Sequence, residues 1–398
     1  MNFMPDSVSS PEHSFTDGFS AALKSLPMVL HTRVVTGSGG GPEKTILNSP
    51  RFLPSLGYQS ICVYMRETTN HDFEKLRKRA TEWNARLIEV DDGGPFDTSV
   101  YRRMLAICRE QKVAIWHGHD YKSNLIGLWV RRYWPMKLVT TVHGWGVTGG
   151  RTALYYAIDR LCMRWYDKVI CVSDDLHDRC VRSGISSDRC LIIQNAIDTQ
   201  QFSRSMDVRA AKQKLGFDPN RYLIGAVGRL SEEKRFDLLI RAVGELRRAG
   251  RDVSLAIVGE GDQRSVLERV IAELGLQDHV RLLGFRSDTI DLYQAFDLYA
   301  LSSVREGLPN VVLEAMAMGV PVVATSIAGV PKLVTDGVDG LLVPAGDVSS
   351  LHQAIDRLYQ DREFASRLSA AARTTIEQRF SFTRRMEKVA RVYDSVMK

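Results

Sequence analysis

The feature that most limits how this chain can fold is a rhythm. Short β-branched runs alternate with longer amphipathic stretches, and the alternation runs its course twice. Candidate strands lie at 29–35, 60–64, 87–90, 113–116, 138–142 and 168–172, with helical patterns between them at 43–53, 72–84, 99–110 and 152–164. Strands and helices in near-regular succession give parallel sheets covered on both faces. A polar break over 195–218 interrupts the pattern. It restarts with strands 222–227, 253–258, 280–283, 298–300 and 320–324 and helices 236–248, 263–274 and 311–318. The expected fold class is α/β, with two doubly wound, Rossmann-like domains. Such sheets bind ligands at the carboxyl ends of their strands, so two of them facing each other define one cleft.

The length, 398 residues, suits two such domains. We expect a loose tail over 1–27, a first domain over 28–200 and a second over 201–379. A C-terminal helix over 380–398 repeats apolar residues at helical spacing (Met386, Val389, Val392, Tyr393, Val396) and is expected to rejoin the first domain. No apolar run reaches the roughly 18 residues of a membrane-spanning helix. The opening residues carry neither the early positive charge nor the apolar run of a signal peptide, so a cytoplasmic protein is expected. Six cysteines are scattered singly, with no C-x-x-C pair to suggest zinc or thiol redox chemistry.

The net charge of +6 is mild, and nucleic acid is not an expected partner. The charge is unevenly spread. Between Tyr121 and Ile158 there is no Asp or Glu, while Lys122, Arg131, Arg132, Lys137 and Arg151 alternate with Trp129, Tyr133, Trp134 and Trp145. This stretch reads either as core aromatics with solvated cations or as a patch for an anionic membrane surface.

Three segments carry chemistry. Gly37-Ser38-Gly39-Gly40-Gly41-Pro42-Glu43-Lys44 follows the first strand and opens a helix. Glycines there let backbone N–H groups approach an anion at a helix N-terminus. Glu43 before Lys44 breaks the Walker A pattern, and Pro42 breaks G-x-G-x-x-G, so ATP and NAD readings weaken. Gly228-Arg229-Leu230 with Lys234 follows the first strand of the second domain. A guanidinium fork and an ammonium together suit a diphosphate. In the third segment, Glu306-Gly307-Leu308-Pro309-Asn310 through Glu314, two carboxylates stand eight apart. Glu306 falls in a loop, and Asn310 is the expected N-cap of the helix bearing Glu314. Carboxylates accept hydrogen bonds from vicinal hydroxyls, so the pair suits a ribose and a hexose on either side of a diphosphate. Taken singly, each segment could equally be a turn or a solvated charged surface.

Together the segments resemble the retaining nucleotide-sugar glycosyltransferases of family 4, which have the GT-B fold. Gly228-Arg229-Leu230 with Lys234, followed by Glu306 and Glu314, carries the likeness. Thr141-Val142-His143-Gly144, Asn195-Ala196-Ile197-Asp198, Val258-Gly259-Glu260-Gly261-Asp262 and Gly319-Val320-Pro321 agree with it in order and spacing. Ala196 stands where the family pattern has Gly.

The resemblance implies a hexosyltransferase drawing on a UDP- or GDP-sugar. Arg229 and Lys234 would hold the diphosphate and Glu314 the ribose. Glu306 would hold the transferred sugar, with His143 beside it. Gly40, Gly41, Gly307, Leu308 and Pro309 would complete the donor site, and His117 and His119 would line the acceptor side. No metal or other cofactor is implied, since Arg229 and Lys234 stand where a divalent ion would serve. The expected acceptor is a glycan or lipid-linked sugar in cell-surface polysaccharide or glycolipid synthesis, and the acid-free stretch from Tyr121 to Ile158 makes an anionic membrane surface an expected partner. A GT-B nucleotide-sugar-binding protein or an epimerase is the alternative.

Overall fold

The computed structural model describes residues 26–36, 41–94, 97–145 and 151–398. The tail expected over 1–27 lies outside them up to residue 25, as do Gly37, Ser38, Gly39 and Gly40. The chain divides into two compact units: 1–193 with 386–398, and 194–385.

The first unit is built on seven strands: β1 (Met28–Val35), β2 (Gln59–Arg66), β3 (Leu87–Asp91), β4 (Val113–Gly118), β5 (Lys137–Val142), β6 (Lys168–Cys171) and β7 (Cys190–Ile192). All pair in parallel, in the order β3-β2-β1-β4-β5-β6-β7. Both faces of such a sheet are covered, so the strands read as nearly unbroken apolar runs. Ile61 through Met65 are fully buried in β2. The direction of winding reverses between β1 and β4, where His31 pairs in register with His117. Just beyond β4, Asp120 caps the helix Tyr121–Val130 in a capping box with Ser123, and its other oxygen accepts the Val34 N–H at 2.6 Å. One carboxylate thus ties the ends of β1 and β4 together at the reversal.

The second unit repeats the plan with β8 (Tyr222–Val227), β9 (Val253–Val258), β10 (Val280–Leu282), β11 (Leu298–Leu301), β12 (Val322–Thr325) and β13 (Leu341–Val343). The order is β10-β9-β8-β11-β12-β13, again all parallel, with the reversal between β8 and β11. The helix Phe236–Arg248 buries Leu239, Ile240, Val243 and Leu246 against one face. The helix Asn310–Ala317 buries Val312, Leu313 and Met316 in a second cluster with Tyr293, Phe296 and Tyr299.

Three local expectations change. The helix expected over 43–53 runs Gly41–Asn48 and then breaks into single 3-10 turns, because Pro50 and Pro54 cannot donate to a continuing ladder. The break over 195–218 contains a helix, Val208–Lys214, started by Asp207, whose side chain accepts the N–H groups of Arg209 and Ala210. Asn310 is not the N-cap. Pro309 holds that position with extended backbone and Asn310 is the first helical residue, which puts Glu314 one turn into the helix.

Candidate active site

In the second unit, two loops leave the strands that flank the reversal. One follows β8 and the other follows β11. The first carries Arg229 and the 3-10 turn Glu232–Lys234, and the second carries Ser302, Ser303 and Glu306. They are stitched together. Val304 N–H donates to the Glu233 carbonyl at 2.8 Å, and the Ser302 hydroxyl donates to the Lys234 carbonyl at 2.9 Å. Across this seam Lys234 Nζ meets Glu306 Oε1 at 2.6 Å, and the Ser303 hydroxyl donates to the same oxygen at 2.7 Å. Lys234 and Glu306 are 17% and 11% exposed, so the pair is sheltered but reachable.

Arg229 behaves differently. Its side chain is 72% exposed and its guanidinium donates to Glu233 at 2.9 Å. Glu233 is thereby held at about 2, first by backbone and then by guanidinium hydrogen bonds. Glu314 accepts the Tyr293 hydroxyl at 3.0 Å. That phenol is fully buried, and burial together with the carboxylate drives its pKa well above the usual 10.

Two glycines let these loops pack closely. Gly259, at φ +145°, lies where a Cβ would stand 1.9 Å from the Gly228 carbonyl oxygen. Gly329 lies where a Cβ would stand 2.2 Å from the Gly307 oxygen, so it seats the Gly307-Leu308 backbone. Of the predicted donor residues, the structure brings Lys234 and Glu306 into contact and gives Arg229 and Glu314 partners of their own.

The first unit places its histidines at the reversal between β1 and β4. His31 Nδ1 and His119 Nε2 are 3.1 Å apart, and His119 Nδ1 and His143 Nε2 are 3.0 Å apart. His117 stacks on His119, with ring centroids 4.4 Å apart and planes 16° apart. Its own nitrogens meet the Tyr393 hydroxyl at 2.7 Å and the Thr141 hydroxyl at 2.8 Å. His117 and His119 are buried and hydrogen-bonded within the protein at both nitrogens, whereas His143 is half-buried. Of the three it is the most exposed. Near the start of the same unit, Gly41 opens its helix, and Glu43 in the first turn pairs with Arg33 of β1 at 3.1 Å.

Among the described residues, His31, His117 and His119 form the one grouping with ligand atoms close enough for a metal, all within 4.8 Å. The contacts are those of hydrogen bonds: His31 Nδ1 and His119 Nε2 stand 3.1 Å apart, and the two His117 nitrogens meet the Tyr393 and Thr141 hydroxyls.

Comparison with known proteins accords with this picture. The family described as "Glycosyltransferase Family 4" matches residues 39–201, and "Glycosyl transferases group 1" matches 207–375. The GDP-mannose-dependent alpha-(1-6)-phosphatidylinositol monomannoside mannosyltransferase of Mycolicibacterium smegmatis is 30% identical over 287 residues, 70% of this chain and 75% of the relative.

The chain belongs to the family 4 glycosyltransferases.

This glycosyltransferase is also similar to the D-inositol 3-phosphate glycosyltransferase of Corynebacterium aurimucosum, 26% identical over 91% of this chain and 92% of that one. Its fold is that of HepE from Anabaena in its complex with UDP. The TM-score is 0.77 at 21% identity, over 93% of this chain and 100% of that one. The GT-B class follows from such neighbours and from the two parallel sheets. Reading the glycosyltransferase's sequence alone passes over His31, Ser303, Glu233 and Tyr293. His31 sits in an apolar strand that looks like plain core. Tyr293 is separated from Glu314 by a strand and two loops.

Proposed function

We propose that this glycosyltransferase moves a hexose, with retention, from a nucleoside diphosphate sugar to a glycan or lipid-linked acceptor. The observation that carries this is the Lys234–Glu306 contact at 2.6 Å beside the exposed Arg229, at the carboxyl ends of β8 and β11.

Glycosyl transfer passes through an oxocarbenium-like state, with negative charge growing on the departing diphosphate. Lys234 has three N–H donors, so it can keep Glu306 and still face a phosphate. Arg229 can leave its surface partner Glu233 for a doubly hydrogen-bonded phosphate. These cations would stabilise the leaving group without a metal. Glu306, braced by Ser303, would accept from the sugar hydroxyls, and Glu314, braced by Tyr293, from the ribose. Gly307, Leu308 and Pro309 would form the intervening wall. His143 would contact the transferred sugar.

Similar proteins span both donor bases: the M. smegmatis relative is named for GDP-mannose, and HepE was crystallised with UDP. The membrane reading gains support from the helix Arg151–Met163 and the residues after it. Leu154, Leu161 and Trp165 are 60%, 50% and 55% exposed there, next to the exposed Arg164. Among the described residues no helix is long and apolar enough to cross a membrane, so a surface attachment is the form we propose. Binding to anionic vesicles at low salt that is lost on changing Leu161 and Trp165 to Ser would support it. Indifference to such vesicles would remove it.

The transfer itself is tested by measuring nucleoside diphosphate release with and without candidate acceptors. We expect release from one donor sugar that rises strongly with acceptor. Release that ignores every acceptor would overturn the reading.

A further inference from the structure

The three histidines 31, 119 and 143 are joined end to end. The separations of their ring centroids, 5.4 Å for His31–His119 and 5.3 Å for His119–His143, exceed the N···N distances by about two ring radii. The bonded nitrogens therefore lie close to the line between ring centres, and the planes tilt by only 23° and 32°. These are aligned N–H···N hydrogen bonds. A neutral imidazole carries one proton, so one nitrogen donates and the other accepts. His119 uses both, one on each neighbour.

We infer that His119 is a positioning residue that locks the tautomer of His143 to that of His31 through an unbroken imidazole chain.

Only two arrangements satisfy both bonds with three neutral rings. In the first, His31 Nδ1–H donates to His119 Nε2, His119 Nδ1–H donates to His143 Nε2, and His143 keeps its proton on Nδ1. In the second, His143 Nε2–H donates to His119 Nδ1, His119 Nε2–H donates to His31 Nδ1, and His31 keeps its proton on Nε2. Each holds three protons on three rings. In the first every ring is an Nδ1–H tautomer, and in the second every ring is Nε2–H. The remaining nitrogen of His143, Nδ1, is accordingly a donor in one arrangement and an acceptor in the other. A buried residue thus decides whether His143 offers a proton or a lone pair. Neutrality of the middle ring is enforced by its surroundings. His119 is buried and faces His117 from β4, His31 and Arg33 from β1, and His143 after β5, all of which disfavour a charge on it. Asp120, the next residue, is turned to Val34 N–H and to its helix cap.

The consequence for turnover rests on the proposed contact between His143 and the sugar; the coupling itself does not. Two-bond 1H–15N spectra of histidine-labelled protein near neutral pH read the tautomers directly, once single His→Gln variants assign the peaks. We expect His31, His119 and His143 to share one tautomer. In His31→Asn, two rings away from His143, and in His119→Phe, we expect the His143 pattern to shift toward a mixture. His31→Asn keeps a polar side chain in place, should His119→Phe fold poorly. In steady-state assays His119→Phe should lower kcat about tenfold or more while leaving KM for the donor within twofold. Mixed tautomers in the wild type, or a His143 pattern untouched by either variant, would overturn the proposal. Coupled tautomers together with a His143→Ala enzyme of normal kcat would support the chain and remove His143 from the substrate site.

Discussion

Lys234 and Glu306, 72 residues apart in sequence, meet at 2.6 Å where the loops after β8 and β11 join. Neither charge is fully solvated, so each depends on the other. Glu306→Gln keeps the shape and removes the counter-charge. We expect a stability loss of about 1–2 kcal/mol, since one sheltered ammonium loses its charged hydrogen bond. We also expect a fall in kcat of at least tenfold. Thermal unfolding and initial rates check both, and an unchanged rate would separate Glu306 from the sugar.

Tyr293→Phe deletes one hydroxyl from a buried cluster. That hydroxyl reaches Glu314 Oε2 at 3.0 Å and the Val311 carbonyl at 3.1 Å. Its loss should cost about 1 kcal/mol of stability. With Glu314 deprived of this hydrogen bond, KM for the donor should rise about threefold to tenfold while kcat barely moves, the pattern of lost ground-state binding. A change in kcat alone would argue against Glu314 as a ribose ligand.

Gly329→Ala tests space rather than conformation. Gly329 has φ −81°, which alanine accepts, but its Cβ would press on the Gly307 oxygen. The loop from Glu306 to Pro309 must then move. We expect kcat/KM to drop about tenfold to a hundredfold, consistent with the sensitivity of catalysis to small misplacements. Wild-type kinetics in this variant would mean that the loop does not contact the donor.

Asp159 supplies a pH test. It is buried, accepting from Asn124 at 2.7 Å and Trp145 at 3.2 Å, and burial raises its pKa from 3.8 to about 6. An acid with a raised folded pKa binds more protons when folded, so its contribution favours the fold at low pH and fades as pH climbs from about 4 to about 6. Compared with Asp159→Asn, the wild type should lose up to about 3 kcal/mol across that window. Melting curves of both proteins at pH 4.5 and 7 measure this, and a pH-independent difference would refute it.

Much of this was legible in the sequence because it is local. Parallel strands buried on both faces write themselves as apolar runs, and a basic turn after such a run marks a sheet edge. Lys234 stood out for that reason, and Glu306 for standing in a Gly- and Pro-broken loop eight residues before Glu314. What stayed hidden depends on pairing at a distance. Nothing near His31 announces that β1 lies beside β4, so its register with His117 is visible only in the folded sheet. Tyr293 looks like one more core aromatic until its hydroxyl is seen on Glu314. Asn310 was a reasonable cap by composition, but Pro309 has its φ already fixed and occupies the position. The three residues of β13 are too few to show a period at all.

The most direct test of the whole account is a calorimetric titration of UDP and of GDP into the wild type, Arg229→Ala and Lys234→Met. One of the two nucleotides should saturate the wild type. Each substitution should weaken it by about tenfold to a hundredfold, the value of a charged hydrogen bond, and the melting temperature of Arg229→Ala should stay unchanged because that side chain stands largely in solvent. Equal affinity in all three proteins would show that the diphosphate is gripped elsewhere and would contradict the assignment.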